Sequence, residues 1–194
     1  VEESQLRVTW SMDNNRVARE PSSLAVTATV GEYTRLGGNE ANNVETGGYT
    51  KLNATGRMLR YLSRNGDWQA VGRFNAQVAS RTLDGYNRIA LGGVNGVRAY
   101  TAADGLGDQG LVVSAELNRR LSGSQTVGVF YDAGRVRPNK NKVTGAFNTT
   151  YSLQAVGAQW TGNVGSWYYN ATVAKGFGGY KQAEDATQVT ESQQ

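Results

Sequence analysis

"GLVVSAELNRRL", residues 110–121, decides how this chain is read. Leu111, Val113, Ala115 and Leu117 alternate with Ser114, Glu116, Asn118 and Arg120. A period of two puts the first set on one side of a pleated strand and the second set on the other. Just before it, "GLGDQG" at 105–110 has the glycine spacing of a dinucleotide-binding loop. That fingerprint must follow a strand and open a helix, so that phosphate meets the helix N-terminus. Here the glycines run into a strand, and the nucleotide reading fails on context. Glycines that allow tight turning and close backbone approach account for the stretch.

The same alternation extends in both directions. Leu6, Val8, Trp10 and Met12 form one apolar row, and Leu24, Val26, Ala28 and Val30 a second. Leu52, Ala54 and Met58 form a third, and Trp68, Ala70, Phe74, Ala76 and Val78 a fourth. Beyond residue 121, Val127, Val129, Tyr131 and Ala133 face away from Phe130, Asp132 and Gly134. Trp167, Tyr169, Ala171 and Val173 make the last clear row, while residues 150–161 show no clearly polar face. These segments run to about ten residues, longer than the usual 5–6 of globular strands and matching the ~9–11 of a tilted transmembrane strand. Connections alternate between short ("SRNG", "SGS", "TGNVG") and long ("TRLGGNEANNVETGGY", the glycine-rich stretch, "RPNKNKVTGAFN"). Short turns at one rim and long loops at the other are the habit of outer-membrane barrels. Trp68, Trp160, Trp167, Tyr168 and Tyr169 sit where an interfacial girdle belongs.

The fold expected is therefore all-β, an antiparallel transmembrane β-barrel in the outer membrane, in contact with outer-membrane lipid. No apolar run approaches the ~20 residues of a membrane helix. The polar rows, with Arg7, Arg57, Arg73, Gln77, Glu116, Arg120 and Asp132, then face the lumen. Unpaired charge is costly in a dry core and ordinary along a water-filled channel.

Composition narrows the chemistry. The 194 residues suit one domain and include no cysteine and no histidine. The thiolate nucleophile and the commonest general base and metal ligand are both missing. No enzyme activity, catalytic residue, metal or cofactor is expected. The net charge of +4 comes from basic residues spread along the chain. A nucleic-acid reader shows a basic patch or stripe instead, so neither nucleic acid nor nucleotide is an expected partner.

"LGGVNGVRAY" (91–100), "GDQG" (107–110), "SAELNRRL" (114–121) and "VFYDAGRV" (129–136) follow one another in a recognisable order. In this the chain resembles two-partner secretion transporters, the haemolysin secretion/activation proteins of the ShlB/FhaC/HecB type, within the wider BamA-like outer-membrane superfamily. The likeness is strongest from residue 83 to residue 137. It implies a pore that exports one partner exoprotein, a haemolysin or adhesin, without nucleotide hydrolysis. An assembly factor of the same superfamily and a passive porin-like barrel are the alternatives. It also implies that residues 1–194 are about the C-terminal half of a sixteen-stranded barrel, with the family's N-terminal periplasmic domains outside this stretch.

The resemblance further implies an inserted lumenal loop over about residues 82–109 with a V-R-G-Y/F tip, matched by Val97, Arg98, Ala99 and Tyr100, with alanine at the glycine position. The tip arginine pairs in the family with a wall aspartate in an F-x-D-x-G motif, matched by Phe130, Asp132 and Gly134. Strand parity independently puts Asp132 and Glu116 on the lumenal face. Asp132 is the expected partner of Arg98 and Glu116 the secondary candidate. Ala99 is expected at ordinary negative φ, since a β-carbon disfavours the left-handed region. Loops near Asn42, Asp104 and Asn141 are expected at the long-loop rim. Turns near Asn65, Gly123 and Asn163 are expected at the periplasmic rim.

Overall fold

The computed structural model describes residues 2–14, 20–34, 46–121, 124–142 and 148–178. Eight long strands form one antiparallel sheet, in which every long strand pairs with the long strand before it in the chain. They are β1 (Glu2–Asp13), β2 (Ser22–Thr34), β3 (Gly47–Tyr61), β4 (Trp68–Ala79), β7 (Gln109–Arg120), β8 (Thr126–Arg137), β9 (Tyr151–Val164) and β10 (Trp167–Phe177). Two further strands, β5 (Ile89–Ala90) and β6 (Leu106–Gly107), pair with each other inside the connection from β4 to β7. Among the described residues the sheet is open, with β1 and β10 at its edges.

The alternation read from sequence sets the two faces. Leu6, Val8, Trp10, Leu52, Met58, Val129, Val156 and Val173 stand exposed on the outer one. On a β-barrel this row meets lipid. The opposite face carries Thr29, Gln77, Glu116, Asn118 and Asp132, and residues 80–108 pack against it.

Connection lengths alternate between the rims as expected. Residues 62–67 and 165–166 close short turns at one end, and residues 80–108 leave from the other. One turn differs from expectation. Thr161–Val164 continue β9, and the connection to β10 shrinks to Gly165 and Ser166, with Gly165 at φ +60°. Asn163 therefore pairs with Tyr168 within the ladder rather than lying in the turn. The expectations for Asn42 and Gly123 lie outside the described residues.

Residues 80–108 fold back as a lasso. Leu91 N–H donates to the Gly105 carbonyl at 2.9 Å, and Val97 N–H to the Leu91 carbonyl at 2.7 Å. The second bond brings the chain so close that a β-carbon on Gly96 would overlap the carbonyls of Leu91 and Gly92. Ile89, Leu91 and Val97 then pack on Val112, Val136, Leu153 and Ala155 of the wall. This corrects the picture of a uniformly polar inner face. Beneath the loop it is dry and apolar, and that is why the sequence of β9 shows no clean polar side.

Candidate functional site

The tip of the lasso lies over the middle of β7, β8 and β9. Register places Ser114 directly opposite Asp132, and Glu116 directly opposite Phe130. With a period of two, all four side chains point inward on neighbouring strands. The structure brings Arg98 onto this set. Its Nε donates to Asp132 Oδ2 and its Nη2 to Asp132 Oδ1, both at 2.8 Å. This is the two-pronged geometry that a planar guanidinium makes with a carboxylate.

The remaining donors are also used. Nη2 reaches Ser114 Oγ at 3.1 Å, and Nη1 lies 2.8 Å from Glu116 Oε1 and 3.4 Å from Gln159 Oε1. A guanidinium has five N–H donors; it makes four hydrogen bonds here, and Nη1 also pairs with Glu116. The backbone N–H of Arg98 adds a bond to Asp132 Oδ2 at 3.2 Å. The guanidinium also stacks on Phe130, 3.4 Å from the ring centroid.

Asp132 is fully buried, and the side chains of Glu116 and Arg98 are only 7% and 9% exposed. Charge balances locally. Arg73 also bonds Glu116, so two cations meet two carboxylates. Burial works against charge on the Arg98 guanidinium, and the bonds and field of Asp132 and Glu116 more than offset it, so its pKa is raised.

The other tip residues seat the arginine. Val97 is fully buried in the apolar patch, with Ala99 and Tyr100 packed at its margin. The Tyr100 ring lies over Gly176 of β10, where an added β-carbon would come within 2.8 Å of it. Gly134 leaves room for the loop, since a β-carbon there would stand 3.0 Å from Leu91 Cδ2 and 3.3 Å from Val97 Cγ2. Ala99 does not have positive φ; among the described residues only glycines do.

A second fastening, not foreseen from the sequence, holds the root of the loop. Asn87 Nδ2 donates to both carboxylate oxygens of Glu3, at 3.0 and 3.1 Å, and to Tyr33 Oη at 3.3 Å. The Asn87 carbonyl accepts from Lys51 Nζ at 3.3 Å and Gln77 Nε2 at 2.9 Å. One loop residue thereby ties together β1 to β4. Beside it, fully buried Asp108 accepts from the N–H groups of Leu83 at 3.0 Å and Lys140 at 2.6 Å and pairs with Arg88 at 3.2 Å. Burial pushes the Asp108 carboxyl above its usual range despite these partners.

Of the sequence-predicted lumenal charges, Arg73, Glu116 and Asp132 meet at the tip. Arg7, Arg57 and Arg120 stay exposed on other parts of the wall. Ser114, Gln159 and Arg73 were not foreseen as partners of this cluster. Strand parity could have found Ser114. Gln159 was hidden by the ambiguous pattern of β9.

The profile of the haemolysin secretion/activation proteins ShlB/FhaC/HecB matches residues 8–160, which takes in most of the wall up to β9 and the whole lasso. The chain belongs to this family. Its members are outer-membrane β-barrel transporters of Gram-negative bacteria. Among similar proteins, the heme/hemopexin transporter protein HuxB of Haemophilus influenzae is 32% identical over 108 residues, 52% of this chain and 19% of its own length. A second HuxB of the same species is 33% identical over 108 residues. The chain thus spans a small part of the curated relatives it matches. Among solved structures, CdiB from Acinetobacter baumannii aligns with TM-score 0.47 at 16% identity, covering 90% of this chain and 38% of that one. Ala99 stands where the resemblance implied a glycine, and the backbone there needs none.

Proposed function

We propose that this sheet is about the C-terminal half of a barrel that exports a partner polypeptide of the haemolysin or adhesin kind in two-partner secretion. The lasso of residues 80–108 acts as a lumenal element pinned to the wall by Arg98. The observation that carries this reading is the buried guanidinium stacked on Phe130 and paired with both Asp132 and Glu116. Among the described residues β1 and β10 are edge strands, whose backbone donors and acceptors a bilayer cannot satisfy, and this favours the larger barrel. Export by this route needs a wall along which an extended chain slides, and the exposed polar inner residues away from the loop, such as Arg7 and Arg57, supply it.

The test is secretion by the full-length transporter with its partner. Arg98→Ala and Asp132→Ala each lower the amount of partner in the medium at equal barrel levels in the outer membrane. The double variant is hardly worse than either single one, because the two residues act as one unit. Unchanged secretion in both single variants overturns the role given to the pin. Additive losses show that the residues act separately.

A further inference from the structure

The face opposite the lasso carries a groove of about 780 Å³ whose walls include Trp68, Leu117, Arg119, Val129 and Trp160. Its size falls within the roughly 300–1,000 Å³ of small-molecule sites. Small residues, Ala158 and Ala171, line its floor. Trp160 is held by an edge-to-face contact with Tyr169 at 5.2 Å.

Arg119 marks one end. It is the penultimate residue of β7, beside Trp68, the first residue of β4, and both sit at the short-turn rim. Its guanidinium lies 5.4 Å from the Trp68 ring centroid. Among the described residues no carboxylate pairs with Arg119. An exposed arginine on the lipid-facing side, next to a tryptophan and without a counter-ion, is built to meet a phosphate at the interface. Cation–π attraction to Trp68 holds the guanidinium at this end of the groove.

We infer that this groove is a binding site for an anionic phospholipid of the periplasmic leaflet, its phosphate on Arg119 and its acyl chains lying toward Ala158 and Ala171. The apolar walls match the chains, and the uncompensated cation matches the net negative headgroup. The inference rests on the outer face being lipid-facing.

The test uses the full-length transporter purified in mild detergent. Native mass spectrometry reads retained phosphatidylglycerol against phosphatidylethanolamine. In parallel, phosphatidylglycerol with brominated chains quenches tryptophan fluorescence in a Trp10→Phe, Trp167→Phe background, where Trp68 and Trp160 remain as this segment's reporters. The unaltered groove retains phosphatidylglycerol preferentially, and Arg119→Gln weakens that binding about tenfold, as expected for a hydrogen bond between charged groups. Ala158→Phe, which fills the floor and leaves Arg119 in place, also lowers retention. Equal retention of the two lipids, or an unchanged preference in both variants, leaves only ordinary boundary lipid and overturns the inference. So does a second copy of the chain covering the groove in detergent. Failure of the transporter to insert into vesicles counts against the membrane reading itself, a separate result.

Discussion

Arg98→Ala strands Asp132. That carboxylate is fully buried and loses both side-chain bonds at 2.8 Å. What remains are the Arg98 backbone N–H and the neighbours on the wall. Removing one member of a buried ion pair costs about 3–5 kcal/mol. Arg73 still neutralises Glu116, so the loss concentrates on Asp132. Asp132→Ala falls toward the lower end of that range, because Arg98 keeps Glu116 at 2.8 Å. Replacing both by alanine leaves neither lone charge, and the double variant sits near or below the worse single one.

The quantity that reports this is the lifting of the lasso from the wall. Ala155 is fully buried within the apolar patch that includes Leu91 and Val97 of the loop. Ala155→Cys supplies a thiol reachable only when the loop lifts, in a segment that has no cysteine of its own. At about 1.4 kcal/mol per tenfold, Arg98→Ala raises the rate of labelling by a small reagent from about 10²-fold to a few thousandfold. The rate is read on barrels that still resist unfolding in detergent at room temperature. A rise of no more than about fivefold, the ~1 kcal/mol of a solvated pair, refutes the reasoning, since the pair is then wet or the loop is held elsewhere.

Three further outcomes follow from the same geometry. Gly134→Val pushes side-chain atoms into Leu91 and Val97, and overpacking of about 1–3 kcal/mol raises labelling at the Ala155→Cys site without touching any charge; unchanged labelling shows that the loop adapts at no cost. Ala99→Gly, at a position without positive φ, loosens the tip by about 0.4–1 kcal/mol through entropy of the released loop; a tighter tip shows a strained backbone instead. Cysteine at Asn65, in the short-turn rim, stays unlabelled by an impermeant reagent in intact cells, while cysteine at Asn141 is labelled; the reverse pattern inverts the topology.

Much of this was legible in the sequence because strand parity is local. Alternate side chains point to opposite faces wherever the backbone is extended, so residues 110–121 alone put Glu116 on the inner face, and residues 126–134 did the same for Asp132. The alternation of short and long connections is equally local, and it gave the two rims. Arg98 was singled out by a resemblance of motifs, not by parity.

The tertiary structure decided the rest. Arg98 takes both carboxylates rather than one, and adds Ser114 and Gln159, because the loop descends where three strands converge. The root clasp joins Asn87 to Glu3 across 84 residues, a contact that depends on how four strands pair and on where the loop turns back. No local pattern encodes such a separation. Strand β9 shows the limit most clearly. Leu153 and Ala155 face inward, yet they are apolar because the lasso, not water, covers them. A period of two assigns a residue to a face. Whether that face meets solvent, lipid or another segment of the same chain is settled only when the whole sheet and its inserted loop have come together.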